Sequence, residues 1–331
     1  MKTISRDSIF RITNDSDFQS RVLEIFECQY NSNSIYQSFA KKLNKNPKNV
    51  SHIAELPFLP IEFFKNHVVV SGNKKAQKIF ESSGTTDNLT SKHHIVDLEL
   101  YTESFVRTFK MFYGDPSEYV IAALLPSYIE RENSSLVYMV DSLIKMSNNS
   151  LNGFYQTTDN AFFDSFTSAI NKKKRLIIGV SFALLDLAET KHPNLSGSII
   201  METGGMKGRR DEITRTELHE ILTKAFNVPV IHSEYGMTEL LSQAYSKGGG
   251  IFYPPPWMKI ILRDLHDPLS LFTDTGQTGG INIIDLANIN SCSFIATGDI
   301  GRLLPCGGFE VLGRFDNSDI RGCNLLIENF N

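Results

Sequence analysis

Four short apolar runs, at residues 119–125, 176–180, 198–201 and 229–232, recur along the middle of this chain, with helix-patterned stretches between them. Leu136, Val137, Val140, Leu143 and Ile144 follow the first run at helical spacing. Residues 182–188 follow the second, and 214–226 separate the last two. A run of four to seven apolar residues reads as a strand covered on both faces, and strands of that kind are joined by crossover helices. The expected fold is therefore α/β, with a mainly parallel sheet.

Earlier, Leu98, Tyr101, Phe105, Phe109 and Phe112 form another helical stripe, and a strand is expected to end at residues 78–81. Phe18, Val22, Ile25 and Phe26 mark a helix behind Asp15 or Ser16 as its cap. Pro57 and Pro60 break that helical region and open an extended segment. Beyond about residue 245 the pattern changes. Gly248-Gly-Gly250 and Pro254-Pro-Pro256 are followed by strand-like runs at 258–262, 280–285 and 293–296, separated by glycines. The expected organisation is a helical region over 1–56, an α/β core over 57–247, a strand-rich subdomain over 248–312 and a tail over 313–331.

With 41% hydrophobic and 21% charged residues, the 331-residue chain has the make-up of a soluble globular protein. A net charge of −4 offers no general attraction to nucleic acid or to an anionic membrane. The one dense basic run, Lys172-Lys-Lys-Arg175, reads as a solvated helix end. No apolar stretch approaches the ~18 residues of a membrane span, and the amino terminus lacks the apolar region of a secretion signal. The cytoplasm is the expected location. The cysteines at 28, 292, 306 and 323 show neither C-x-x-C nor zinc-ligand spacing, and disulfides are not expected.

The chemistry is concentrated in glycine- and hydroxyl-rich strings that follow expected strands. The first runs from Glu81 to Lys92 and holds Ser82, Ser83, Gly84, Thr85, Thr86, Thr90 and Ser91, ending in Lys92-His93-His94. Hydroxyls, free backbone N–H groups and adjoining positive charge suit a polyphosphate. Next come Glu202-Thr-Gly-Gly-Met-Lys207, Glu234-Tyr-Gly-Met-Thr-Glu239, Thr297-Gly-Asp299 and Gly313-Arg-Phe-Asp316. Each alone fits an ordinary turn. Ser181, in a Gly-Val-Ser-Phe-Ala string, fits either a hydrolase nucleophile or a helix cap. His93 and His94 fit solvent- or phosphate-facing side chains better than metal ligands. Tyr128 and Glu130 could line an acyl pocket or lie on an exposed loop, and His232 fits a nucleotide cleft, the core or a sheet end.

Taken in order, these strings resemble the signature of the adenylate-forming superfamily, over about residues 57–327. Ser82-Ser-Gly-Thr-Thr86 resembles its phosphate loop, Tyr235-Gly-Met-Thr-Glu239 its Y-G-x-T-E string, Thr297-Gly-Asp299 its T-G-D, and Gly313-Arg-Phe-Asp316 its G-R-x-D. Within it, Leu59-Pro-Ile-Glu-Phe-Phe-Lys65, Glu202-Thr-Gly-Gly-Met-Lys207 and Gly313-Arg-Phe-Asp-Asn-Ser-Asp-Ile-Arg-Gly-Cys323 are similar to the LuxE family of acyl-protein synthetases. The resemblance implies the fold of the superfamily's large domain. It also implies ATP- and Mg²⁺-dependent activation of a carboxylic acid, a long-chain fatty acid in that family, as acyl adenylate. The acyl group would then pass to Cys323 and on to a reductase or another acceptor.

In that scheme Ser82, Ser83, Thr85, Thr86 and Lys92 hold phosphate, with Gly84, Gly204 and Gly205 letting the backbone approach the nucleotide. Glu239 takes Mg²⁺, and Asp299 and Arg314 hold the ribose. Tyr235 stacks on adenine, with Gly236 and Thr238 in the same string. Two departures stand out: Asp87 replaces the glycine of the usual T-T-G, and the sequence ends 15 residues after Asp316. The expectation is thus that the superfamily's separate mobile carboxy-terminal domain, with its lysine, is absent. Transfer to coenzyme A or a carrier thiol, an inactive ligase-fold binding protein, and a serine hydrolase at Ser181 are the rival readings.

Overall fold

A computed structural model describes residues 4–82, 90–125, 132–159, 166, 173–191, 193–204 and 213–315. Helices α1 (Arg6–Phe10), α2 (Asp15–Ser32) and α3 (Ser34–Lys42) come first, then strand β1 (Leu59–Pro60) and the short α4 (Phe63–Asn66). The strands β2 (Lys78–Glu81) and β3 (Lys92–Ile95) pair antiparallel, with Glu81 opposite Lys92. There follow α5 (Leu98–Tyr113), β4 (Tyr119–Leu124), α6 (Ser135–Ser147), β5 (Gly153–Phe154), β6 (Lys174–Val180), α7 (Ser181–Lys191), β7 (Ser198–Thr203), α8 (Arg215–Phe226), β8 (His232–Tyr235) and β9 (Ala244–Ser246). The remaining strands are β10 (Ile251–Phe252), β11 (Met258–Arg263), β12 (Leu271–Phe272), β13 (Thr278–Asp285), β14 (Phe294–Leu303) and β15 (Phe309–Arg314).

One sheet has the order β5-β4-β6-β7-β8-β9, parallel except for β9 at its edge. Every residue of β4 is buried, because alternate side chains enter two different cores. Ile121 and Ala123 join a core with Phe105 and Phe109 of α5 and Val140 of α6. Val120, Ala122 and Leu124 join another with Leu184 of α7 and Leu218 and Leu222 of α8. The fold is thus α/β, with a parallel sheet and helices on both faces.

The second sheet has the order β10-β15-β14-β13-β11-β12, antiparallel throughout, and β1 adds to β14 in parallel with Leu59 opposite Ile295. Its core is continuous with that of α5 and α6, and the amino-terminal helices close it from outside. Tyr36 stacks on Phe294 at 5.7 Å, and the buried Gln29 amide donates to the Asn288 carbonyl and accepts from the Ser293 N–H.

Several boundaries differ from the sequence reading, for identifiable reasons. The cap of α2 is Asn14, whose side chain accepts from the Asp17 N–H, rather than Asp15 or Ser16, which enter the first turn. The strand expected at 229–232 is β8, shifted toward the motif. Pro229 has no N–H to give a ladder, whereas the polar Ser233 and Glu234 pair in register with Glu202 and Thr203. Lys174 and Arg175 open β6 rather than close a helix. Thr297-Gly-Asp299 lies within β14 instead of in a turn.

Candidate functional site at the junction of the two sheets

Strands β6, β7 and β8 end level with one another, since Val180 is register partner to Thr203 and Thr203 to Glu234. Ser181, Gly204 and Tyr235 therefore stand side by side at the carboxyl ends of parallel strands, where α/β sheets place ligands. Gly204 has φ +71°, a backbone shape that favours glycine. Gly236 is required for another reason. A Cβ there would lie 2.4 Å from Glu234 Oε1.

Two carboxylates occupy opposite faces of this edge and behave differently. Burial pushes the Glu234 carboxyl up to about 7, although the Thr203 hydroxyl donates to it at 2.5 Å. Burial also pushes Glu202 upward, but His219, Arg215 and Ser233 together hold it below the ordinary carboxylate value. Arg215 Nε lies 3.2 Å from Glu202 Oε1, while Arg215 Nη1 donates to the Val311 carbonyl of β15 at 3.0 Å. One arginine on α8 thereby ties the two sheets together beside the site.

The antiparallel sheet brings its own pair to the same place. Asp299 on β14 is register partner to Arg314 on β15, and Arg314 Nε donates to Asp299 Oδ1 at 2.8 Å. Tyr235 crosses from the parallel sheet and donates its hydroxyl to Asp299 Oδ2 at 2.8 Å. Its ring packs against Phe252 and Phe309. Asp299 raises Arg314 above its ordinary value, and Tyr235 and Glu239 add to that effect, although the Arg314 side chain is exposed. Three strings, spread from residue 235 to residue 314, thus meet at this pair.

The segment carrying Thr238 and Glu239 is held by buried side chains from three directions. His93 of β3 lies 2.8 Å by Nδ1 from the Thr238 carbonyl, and Asn288 donates to the Glu239 carbonyl at 2.8 Å. Asp285, at the end of β13, accepts from the Leu241 and Ser242 N–H groups at 2.8 and 2.9 Å. The Glu239 side chain is 4% exposed, and burial raises its pKa, with Ser91 and Arg314 acting against the rise. Among the described residues no ion pair compensates it. No group of three or more His, Cys, Asp or Glu among them is arranged to hold a metal.

Of the site residues read from sequence, Ser82, Lys92, Gly204, Tyr235, Gly236, Thr238, Glu239, Asp299 and Arg314 are described. Ser82 closes the hydroxyl-rich loop on itself: its N–H donates to the Ser91 carbonyl, and its hydroxyl accepts from the Ser91 N–H, both at 3.0 Å. Lys92 lies 3.6 Å from Glu81 across the β2–β3 ladder. Ser83, Gly84, Thr85, Thr86, Asp87, Gly205, Asp316 and Cys323 lie outside the described residues, as do Tyr128 and Glu130.

Two expectations change, and one left open is decided. His93 is neither solvent- nor phosphate-facing but buried, because strand alternation turns it inward; burial lowers its pKa to about 4. His232 takes the sheet-end role, with Nδ1 3.1 Å from the Tyr113 hydroxyl at the start of β8. Ser181 is buried, and its hydroxyl donates to the Gly204 carbonyl at 2.8 Å instead of capping its helix. The nearby His219 approaches Glu202 and Ser233. Asp285, Asn288 and Arg215 were not singled out from sequence. The signal for the first two was available, as polar residues interrupting the apolar stretch 281–289.

A family model described as acyl-protein synthetase, LuxE, matches residues 12–330. No curated protein matches the sequence. Among solved structures, 2-hydroxyisobutyryl-CoA ligase in complex with 2-HIB-AMP and CoA superposes with a TM-score of 0.64 at 11% identity, covering 92% of this chain and 70% of that one. ATP-bound MatB from Rhodopseudomonas palustris gives 0.52 at 14% identity over 71% of this chain, and an ATP-bound RpMatB-BxBclM chimera gives 0.53 at 15% over the same share. The chain spans about half the length, 47%, of those last two proteins. At such identities the likeness shows the fold. The family rests on the sequence match along almost all of the chain, which belongs to the LuxE family of acyl-protein synthetases.

Proposed function

We propose that this protein activates a carboxylic acid, a long-chain fatty acid by family likeness, with ATP and then carries the acyl group on Cys323. The observation that carries the reading is the meeting of Tyr235, Asp299 and Arg314, one from each of three strings of the nucleotide-handling signature, through hydrogen bonds on Asp299. The substrate carboxylate oxygen attacks the α-phosphorus of ATP, the bond to pyrophosphate breaks, and the acyl adenylate forms. This step needs mainly positioning and charge neutralisation. The Cys323 thiolate then attacks the acyl carbon, AMP leaves with the electron pair, and a thioester remains. The thioester is available to a reductase or another acyl acceptor.

The residues fit a bound Mg²⁺. A buried carboxylate without an ion-pair partner is costly by itself, and Glu239 has none among the described residues. Magnesium takes one or two carboxylates and completes its shell with water and phosphate oxygens, so a three-ligand protein cluster is not needed. When bound, the ion neutralises phosphate charge. Asp299 keeps a lone pair on each oxygen beyond the bonds from Tyr235 and Arg314, and these accept ribose hydroxyls. Ser82 and the hydroxyls at 83, 85 and 86 donate to phosphate, with Lys92 adding charge at the loop's exit. Gly204 and Gly205 admit the nucleotide.

Acid-dependent pyrophosphate exchange across a panel of fatty, aryl and amino acids tests the activation step. Exchange with a fatty acid is expected; exchange with none of them rejects the enzyme reading. Cys323→Ser is expected to retain exchange and to lose radiolabelled acyl-protein. If the labelled protein persists, Cys323 is not the acceptor.

A further inference from the structure

His93 sits two residues past Ser91, on the strand that leaves the hydroxyl-rich loop, directly across from Phe80. It is 1% exposed, and Phe64 meets its ring edge-on at 5.6 Å. The Thr238 carbonyl, 2.8 Å from Nδ1, can only accept, so Nδ1 carries the hydrogen. Nε2 and Asn288 Oδ1 are both buried, and neither makes a hydrogen bond of good geometry among the described residues, although the Asn288 side chain acts on the ring to raise its pKa. The two side chains also hold successive backbone carbonyls, Thr238 by His93 and Glu239 by Asn288.

Two carbonyls fixed on either side of the Glu239 Cα leave the peptide planes there little freedom, and the direction of the Glu239 side chain follows from them. A buried imidazole costs more than an apolar residue that would fill the same space, and its hydrogen bond to the Thr238 carbonyl is what sets it apart. We infer that His93 is a positioning residue: its Nδ1–H fixes the Thr238 carbonyl and so aims the Glu239 carboxylate, linking it mechanically to the strand that follows the hydroxyl-rich loop. The aim matters because of the role proposed above for Glu239, and to that extent the inference rests on that reading. The link itself does not.

The two nitrogens of the imidazole can be told apart by substitution. In His93→Asn the amide nitrogen takes the place of Nδ1 and can still donate to Thr238. In His93→Gln it takes the place of Nε2 and cannot. Loss of one buried hydrogen bond corresponds to roughly a tenfold effect. The Asn variant is therefore expected to keep most of the pyrophosphate exchange, whereas the Gln variant needs roughly tenfold more Mg²⁺ for half-maximal exchange. Amide hydrogen exchange over residues 237–243, measured without ATP or metal, is expected to speed up roughly tenfold in Gln and to stay near wild type in Asn.

If the Gln and Asn variants match in both measurements, with both folded by thermal unfolding, His93 is not a positioning residue. If wild-type protein shows no exchange with any acid, the functional reading fails, and the hydrogen-exchange comparison still decides whether His93 fixes the segment.

Discussion

The hydroxyl of Tyr235 donates to Asp299 Oδ2 at 2.8 Å, joining the last residue of β8 to the middle of β14 and so the parallel sheet to the antiparallel one. Asp299 is nearly inaccessible, and the bonds that satisfy its side chain come from Tyr235 and Arg314. Tyr235→Phe deletes one of those donors while keeping the ring. A hydrogen bond to a buried charged group is worth about 1.5–3 kcal/mol, so the urea midpoint should fall by that equivalent. Affinity for a non-hydrolysable ATP analogue should fall as well, because the carboxylate proposed to meet the ribose loses its brace. An unchanged midpoint would mean that the two sheets are held at this place by other contacts.

Glu234 sets a pH dependence of definite sign. Its folded value of about 7 lies above the ordinary 4.5, with burial as the main cause. Between those values the unfolded chain gives up the proton while the folded chain keeps it, so stability falls as pH rises. The loss should total on the order of 3 kcal/mol and be complete above about pH 7. His93 and His232, each lowered by burial to about 4, act in the opposite sense and add stability as pH rises toward 6.5. The measurable quantity is therefore the difference between wild type and Glu234→Gln. Wild-type stability relative to the variant should shrink steadily from pH 4.5 to 7.5, and parallel curves would refute the assignment.

The same strand shows what was legible in the sequence. Residues 119–124, 176–180 and 198–203 are buried strands because uninterrupted apolar runs need cover on both faces, and that is visible without coordinates. The glycine strings marked the site for the same kind of local reason. Ser233 and Glu234 were not visible as strand. They lie between β7 and β9, with Thr203 and Tyr245 as register partners of Glu234, neighbours that the sequence does not give. His93 failed to show for a similar reason. In a four-residue strand flanked by Lys92 and His94, one inward position cannot be told from polarity. Asp285 and Asn288 stand out as polar residues in an apolar stretch, but their partners at residues 239–242 cannot be read from it.

Gly236 is fixed by its neighbour more than by its own backbone. A Cβ there would fall 2.4 Å from Glu234 Oε1 and 3.3 Å from Gln243 Cγ. Glu234 cannot easily retreat, since Thr203 holds its other oxygen. Gly236→Ala should therefore cost about 1–3 kcal/mol. Truncating the obstacle should relieve part of this. In a double-mutant cycle with Glu234→Ala, the pair should be less destabilised than the sum of the single variants by about 1–2 kcal/mol. Strict additivity in urea unfolding would show that the clash lies elsewhere.

Asp285 is the deepest of the groups that hold the Glu239 segment, and its two oxygens differ in what they can lose. Oδ2 accepts from the N–H groups of Leu241 and Ser242, which have no alternative rotation. Oδ1 accepts from the Ser242 hydroxyl at 2.6 Å and from the Ala287 N–H at 3.1 Å. Asparagine at this position will turn its nitrogen toward the Oδ1 side, where the Ser242 hydroxyl can rotate and accept from it, leaving only the Ala287 N–H without a partner. Asp285→Asn should thus cost about 1–3 kcal/mol, the penalty of one orphaned buried donor. Asp285→Ala strands the donors on both sides, and also Trp257, whose indole N–H lies 3.0 Å from the Ser242 hydroxyl, loses its fixed acceptor. That variant should cost about 3–5 kcal/mol. Urea unfolding of the two variants side by side tests the account. An alanine variant no weaker than the asparagine variant would show that Asp285 does not hold the segment.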